Sequence, residues 1–324
     1  MLLLSAFAFI LILFLITFFY LKGGDFKEMF KGNPDDLNFD EQENKTQGWL
    51  FVAFGIGFLL FILFLIFKWG GSLLPEAASV HGADVDSLML ITGIIIIFVF
   101  VVTHILLFVL VYKYAFNKNR KPAFFTHNLK LELLWTALPA MVLVVLISVG
   151  LYNWNSIMTP LDENDDIVLI ELYAKQFDWT ARYAGNDGKL GRANVFLIKG
   201  SNFLGIDTTD VVAFDDKIVK NEFHLPVNKP VQFVFRAQDV MHSAYMPHFR
   251  AQMNCVPGLK TQFNFTPKYT TQEMRRITKN PDFDYILLCN KICGMAHFSM
   301  KMKIVVESEE DYNLWLASNQ SFKQ

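Results

Sequence analysis

The sequence predicts an α-helical transmembrane anchor followed by an all-β sandwich domain. Of the 324 residues, 53% are hydrophobic and 33 are Phe, more than an ordinary soluble protein carries. The apolar residues of the first half gather in four runs of bilayer length. The second half breaks into short stretches of β-branched and aromatic residues between Asn, Asp, Gly and Pro clusters, the pattern of a sandwich or barrel. A net charge of −2, with no Lys/Arg block and no Gly-rich phosphate loop, excludes a nucleic-acid partner.

The four runs are Leu2 to Tyr20, Trp49 to Lys68, Leu88 to Tyr112 and Leu131 to Trp154, each near the ~20 residues a helical span requires. Lipid offers the backbone no hydrogen bonds, so each is expected to be a helix. The first lacks the charged n-region and small-residue cleavage site of a signal peptide, and no Cys follows it for lipidation, so it reads as a retained span.

Basic loops stay on the side from which insertion starts. The segment from Lys113 to Lys130 holds Lys113, Lys118, Arg120, Lys121 and Lys130 and no acid, whereas Gly70 to Ser87 holds Glu76, Asp84 and Asp86 and no Lys or Arg. The first is therefore cytoplasmic and the second external. Alternation puts the chain after Trp154 in the periplasm of a bacterial cytoplasmic membrane, with the chain passing the bilayer several times. The division expected is residues 1–70, extra N-terminal spans with a cytoplasmic loop; 71–155, a transmembrane hairpin; and 156–324, a periplasmic β domain.

Within that domain, strands are expected at Ile167 to Tyr173, Pro230 to Arg236, Thr261 to Thr266, Tyr285 to Leu288 and Met302 to Val306. Lys301 to Glu307 alternates as a half-buried strand should. Thr270 and Glu273 have the spacing of a capping box ahead of a short helix. Leu161 to Asp166 reads as the linker off the membrane, and Lys189 to Asn221 as a long insertion between strands.

The chemistry is concentrated in Cys289-Asn290-Lys291-Ile292-Cys293-Gly294-Met295-Ala296-His297-Phe298-Ser299-Met300, with Asp239-Val240-Met241-His242-Ser243 upstream. Two thiolates, two imidazoles and a thioether are available. Thiolate and thioether are soft ligands that suit copper, and imidazole accepts either copper oxidation state. A single blue copper needs one Cys, so a second bridging thiolate points to two coppers. Two other readings stay open. A Cys289–Cys293 disulfide suits an oxidising compartment but leaves His242, His297 and Met300 unexplained. A Cys₂His₂ zinc site has the ligand count but no use for Met300.

The array Cys289-x₃-Cys293-x₃-His297-x₂-Met300 with the upstream Asp-Val-x-His-Ser resembles the binuclear copper-A site of cytochrome c oxidase subunit II. Leu131-Glu132-Leu133-Leu134-Trp135-Thr136-Ala137-Leu138-Pro139-Ala140 resembles that family's second transmembrane helix, and the likeness covers roughly Leu88 to Leu316. The resemblance implies a cupredoxin-like sandwich in which Cys289 and Cys293 bridge two copper ions. His242 and His297 would each bind one, with Met300 and the Lys291 backbone carbonyl as axial ligands. It implies electron transfer from a soluble or tethered cytochrome c, through the copper pair, to haem in subunit I. There, at a haem and copper-B, oxygen becomes water while protons are pumped. The five histidines outside the array form no motif, so the catalytic partner is expected to be another chain. Other oxidase subunits and the lipid bilayer complete the expected partners, and membership of a supercomplex with a quinol-oxidising complex is left open.

Three departures from the family pattern stand out. Lys291 occupies a position where most members have a magnesium-binding Glu; an ammonium has no lone pair, so the interface magnesium is expected to be absent or replaced. Phe177 replaces the aromatic patch's first Trp, in Phe177-Asp178-Trp179, which changes the expected route by which electrons arrive. The spans before Lys68 exceed the usual two-helix anchor.

Glu132, at the cytoplasmic mouth of its helix, corresponds to a proton-channel opening, or is a solvated interfacial carboxylate. His104 in the third span reads as a packing histidine, and Cys255, without a partner at ligand spacing, as a buried free thiol. His248 and Arg250 fit either a subunit I interface, with Arg250 pairing haem propionates, or plain surface. The acids Asp162, Glu163, Asp165, Asp166, Asp207, Asp210, Asp215 and Asp216 would steer a basic cytochrome if solvated and free. Three rivals are weighed. A quinol oxidase subunit would lack the copper ligands, a nitrous oxide reductase domain would lack this helix, and a copper-delivery protein needs an exchangeable site.

Overall fold

The computed structural model describes residues 41–114, 123–162 and 166–323. The span expected at Leu2 to Tyr20 lies outside them, as do most of the segment that follows it and three of the five basic residues of the cytoplasmic loop.

The other three apolar runs form helices α1 (Glu41–Trp69), α2 (Val80–Lys113) and α3 (Leu129–Met158), all long and apolar enough to cross a membrane. The first two begin well before their apolar runs, at Glu41 and Val80, and the third at Leu129, close to its run. At 1.5 Å per residue, 29 to 34 residues exceed a ~30 Å hydrocarbon core, so the polar ends extend past the lipid. Asn128 caps α3, accepting from Leu131 N–H, and Glu132 returns the favour by accepting from Asn128 N–H.

The chain divides into two compact units, residues 1–68 with 98–127 and residues 69–97 with 128–324. In the first, small residues on α1 let aromatic side chains of α2 approach closely. A Cβ at Gly55 would overlap the Phe108 ring, and Trp49 packs on Tyr112 with ring centroids 4.6 Å apart. His104 donates from Nδ1 to the Phe100 carbonyl at 2.8 Å and lies against Phe58 and Phe100.

In the second unit the periplasmic chain folds into two five-stranded sheets. Their strands are β1 (Val168–Lys175), β2 (Asp178–Tyr183), β3 (Lys217–Lys220), β4 (Glu222–Pro226), β5 (Val231–Ala237), β6 (His242–Met246), β7 (Ala251–Cys255), β8 (Thr261–Phe265), β9 (Tyr285–Cys289) and β10 (Lys301–Glu307). The sheet orders are β3-β2-β1-β5-β8 and β4-β10-β9-β6-β7, with β1–β5 and β10–β4 parallel. Ile170, Leu172, Phe233, Phe235, Leu287 and Ile304 are fully buried between them. The expected alternation of β10 holds, with Met302, Ile304 and Val306 turned inward. The capping box is formed at α4 (Thr271–Ile277), and a further helix, α5 (Glu309–Ser318), closes the chain with Ser308 as its cap.

The insertion lies earlier in the chain than expected. Residues 217–220 pair with β2 as β3, so the irregular segment runs from 184 to 216 and folds over the outer face of the first sheet. There Leu204, Ile206 and Ala213 pack on Tyr173. The same cover buries Glu171, Arg182, Asp216 and Arg236, with Arg236 and Arg182 both reaching Glu171 and Arg182 lying 3.7 Å from Asp216.

The sandwich stands on the membrane helices by one end. Gln262 and Asn264 donate side-chain N–H groups to Met158 and Thr159 carbonyls at the end of α3. The loop before α2 adds Ala78 N–H to the His248 carbonyl and accepts from Lys268 N–H. Arg250, in left-handed backbone at φ 52°, clamps Asp86 at 2.7 and 2.8 Å and the Pro75 carbonyl. Its guanidinium is therefore engaged within the chain.

Burial pushes the Asp216 carboxyl up to about 7, against the pull of Arg182. A carboxyl raised on folding favours the protonated fold, so its contribution is full below about pH 4 and is lost as pH rises to about 7, an effect of a few kcal/mol. Asp216→Asn is expected to flatten the fall in thermal midpoint of the β domain between pH 5 and 8, followed by tryptophan fluorescence; a profile parallel to wild type rejects this.

Candidate metal centre

His242 opens β6 and Cys289 closes β9, its neighbour in the sheet, where Ala244 faces Cys289 across the ladder. The residues 290–300 then loop out and return as β10. Two bonds fix the loop's base, Cys289 N–H to the Met300 carbonyl at 3.1 Å and Asn290 N–H to the Ser243 carbonyl at 2.9 Å. Its interior is a succession of tight turns, with His297 N–H on Gly294 O and Met300 N–H on His297 O. Gly294 sits at φ 143°, where a side chain is strained, and a Cβ there would strike the Phe177 ring.

This scaffold brings five side chains to one place. The Cys289 and Cys293 sulfurs are 4.0 Å apart. Cys289 Sγ lies 3.7 Å from His242 Nδ1 and 3.3 Å from the Lys291 carbonyl oxygen. Cys293 Sγ lies 3.6 Å from His297 Nδ1 and 3.8 Å from Met300 Sδ. Each sulfur thus has one imidazole and one weaker donor beside it. The thiols are not a disulfide, whose S–S length is about 2.05 Å, and all three cysteines are free. His242, Cys289 and Cys293 form a buried cluster of metal-ligating atoms.

A residue given no role at the sequence level orients one imidazole. Asp239 Oδ1 accepts from His242 Nε2–H at 2.9 Å, which leaves the Nδ1 lone pair aimed at Cys289. Burial opposes charge on Asp239, but hydrogen bonds from His242, Gln176 N–H and Val240 N–H outweigh it and hold the carboxyl below its ordinary range. The signal was an acid three residues before the histidine. Gln176, in the β1–β2 turn, was also missed; its side chain donates to the Cys293 carbonyl at 2.7 Å.

Trp179 is buried with its ring edge-on to His242, centroids 6.3 Å apart. Phe177, in left-handed backbone at φ 70°, is 40% exposed above Gly294. Glu132, on the first turn of α3, is not among the residues of this cluster.

Residues 52–152 match the family described as cytochrome c oxidase subunit II, transmembrane domain, and residues 168–309 its periplasmic domain. A relative from Bradyrhizobium diazoefficiens, "Alternative cytochrome c oxidase subunit 2", is 30% identical over 84% of this chain and 91% of its own length.

The chain belongs to the cytochrome c oxidase subunit II family.

Similar relatives include the cytochrome c oxidase subunit 2 of Thermostichus vulcanus, 28% identical over 80% of this chain and 83% of that one. That of Cereibacter sphaeroides is 27% identical over 75% and 76%. This subunit II is a membrane protein with a cupredoxin-like periplasmic domain, and it serves in an oxidoreductase complex of the haem-copper class. The family implies copper. The donor set fits it: two buried cysteine sulfurs, the buried Met300 thioether, the buried His242 imidazole and the half-buried His297 imidazole form a soft cluster.

Cys255 faces His242 across β6 and β7 but is fully buried, and burial pushes its thiol up to about 12. Alkylation of the copper-free native chain at pH 8 is expected to leave Cys255 unlabelled until denaturant is added, by peptide mass spectrometry; native labelling of Cys255 contradicts this placement.

Proposed function

We propose that subunit II accepts electrons singly from cytochrome c at a binuclear copper centre and passes them to haem in subunit I, where oxygen is reduced to water with proton pumping. The observation that carries this reading is the convergence of two thiols 4.0 Å apart with an imidazole Nδ1 beside each. Two sulfurs so placed suit two metal ions better than one, since a lone blue copper takes a single thiolate. When bound, a copper pair supplies a one-electron carrier whose charge is spread over two metals and two sulfurs.

In this reading the thiolates of Cys289 and Cys293 and the imidazoles of His242 and His297 would hold the copper pair, with Met300 and the Lys291 carbonyl as weaker donors. The chain's own part is to keep these donors still. Strands β6, β9 and β10 hold the ends of the loop, Asp239 fixes the His242 tautomer, and Gln176 ties the Cys293 carbonyl to the β1–β2 turn. Donors that need not move on oxidation or reduction permit fast electron transfer. Phe177 and Trp179 lie between solvent and the centre as the proposed path by which electrons arrive. The chain alone would reduce no oxygen; the haems and copper-B belong to subunit I, and the residues 1–70 would add helices beyond the 71–155 hairpin that the family uses. With Lys291 in place, no magnesium is proposed at the subunit boundary.

Copper content tests the centre. The full-length chain is expected to hold two coppers after dialysis, and Cys293→Ser to lose at least one together with the mixed-valence absorption; one copper in the wild type, or retained absorption in the variant, rejects the reading. Glu132 is proposed as a proton-channel opening. Glu132→Gln is expected to slow oxygen consumption about tenfold or more while leaving reduction of the copper unchanged. Unchanged turnover would leave Glu132 as the helix cap that its bond to Asn128 N–H makes it.

A further inference from the structure

The end of the sandwich that carries the metal cluster is the end away from the membrane loops. Strand β6 runs from Met246, next to the Pro247–Arg250 turn that the α2 loop grips, out to His242, a rise of ~13 Å. Around His242 stand the β1–β2 turn, the residues 238–241, the loop 290–300 and the β3–β4 turn, since Asp178 pairs with Lys175, Lys220 with Thr180, and Lys303 with Glu222.

Two properties of this end are unusual. It is capped by bare apolar side chains, with Ile292 90%, Met295 97% and Phe298 87% exposed and Phe177 and Met241 beside them. Such a patch rimmed by charge marks a docking surface. The rim is basic. Lys175, Lys220, Lys291, Lys301 and Lys303 stand against Asp178, Glu222, Asp239 and Asp284, the last held by Arg275 at 2.9 Å and Lys303 at 3.5 Å. Asp178 is paired with Lys220 at 3.2 Å and Glu222 with Lys303 at 3.8 Å, while Asp239 is tied to His242 and two backbone amides. Lys175, Lys291 and Lys301 are exposed and have no carboxylate within ion-pair distance among the described residues.

Several of the acids that would steer a basic cytochrome are engaged elsewhere in the chain. Asp207 and Asp210 are engaged by Arg192, Asp166 by Lys229, and Asp216 is buried beside Arg182. Part of the acidic charge on the insertion and linker is thus offset, Asp207 and Asp210 sharing Arg192 and Asp166 sharing Lys229 with Glu309, while ammonium groups stand free around the metal end among the described residues.

We propose that this basic, apolar face receives an electron-carrier protein whose own contact surface is an acidic ring around the exposed apolar edge of its redox group. The identification rests on the reading of the cluster as the electron-accepting copper centre and goes further, to the sign of the partner's charge. The apolar caps supply close contact, and Lys175, Lys291 and Lys301 set encounter rate and orientation. Opposite charges raise encounter rates by about 10 to 10³ at low salt, and the effect fades as the Debye length falls to about 8–10 Å near 0.1 to 0.15 M.

Stopped-flow reduction of the assembled oxidase tests this with two probes, a basic mitochondrial-type cytochrome c and the same protein succinylated on its lysines so that it is acidic. The acidic probe is expected to reduce the copper on the order of tenfold faster at 20 mM than at 200 mM ionic strength, and the basic probe to show the opposite slope. Lys175→Glu with Lys301→Glu is expected to cancel or invert both slopes, with Lys175→Arg and Lys301→Arg keeping the wild-type ones. Faster low-salt reduction by the basic probe, or slopes that the reversal leaves unchanged because other subunits cover this face, would overturn the proposal. Reduction of the same samples by ascorbate, a small molecule that needs no docking face, separates the outcomes: loss of that signal indicts the copper centre itself, whereas an intact signal with the wrong slope indicts only the partner's charge.

Discussion

The hydrogen bond from Cys289 N–H to the Met300 carbonyl is the tie on which the functional end of this protein depends. It joins the last residue of β9 to the residue before β10, so the eleven residues 290–300 must leave and return across one inter-strand gap. A loop closed so tightly has few conformations. Its successive turns spend Gly294 at a φ few other residues tolerate, and they carry Cys293, His297 and Met300 back over Cys289. The neighbouring strand then supplies His242 from the opposite side. The centre is thus assembled by sheet pairing, and its rigidity is that of the sheet.

The same logic explains why the sandwich can expose one end and anchor the other. Strands β5 and β8 present Gln232, Gln262 and Asn264 at the membrane end, where they bind the backbone around the end of α3. That end is fixed by hydrogen bonds between side chains and main chain and by the Arg250–Asp86 pair, a buried guanidinium whose removal would strand a carboxylate. The other end is free of such ties, so its loops can be shaped by the metal donors and by whatever docks there.

Much of this was legible in the sequence because the signals were local. Apolar runs gave three described helices to within their lipid-facing parts, and the polar starts of α1 and α2 escaped because hydropathy marks lipid contact rather than helix ends. Thr270 and Glu273 announced α4 through their spacing, whereas α5 was overlooked although Ser308 and its acidic first turn carry a comparable signal. Strand β2 was missed because it does not alternate: Arg182 and Thr180 are buried on the face that the insertion covers, so both sides are inside. Four of the five donor side chains lie within twelve residues and could be read as a unit. The roles of Asp239 and Gln176 could not, since they depend on a loop and a turn brought together only by the fold. The lysine rim was likewise invisible, because Lys175, Lys291 and Lys301 are spread over the chain and the engagement of Asp166, Asp207, Asp210 and Asp216 by basic side chains depends on the fold.

The most direct measurement is electron paramagnetic resonance on the oxidised, copper-loaded full-length chain. A single unpaired electron shared equally by two copper nuclei, seen as a seven-line hyperfine pattern, is the predicted result. A four-line pattern from one copper, or a silent spectrum from a site holding zinc, would contradict the assembly of His242, Cys289, Cys293, His297 and Met300 into a binuclear centre.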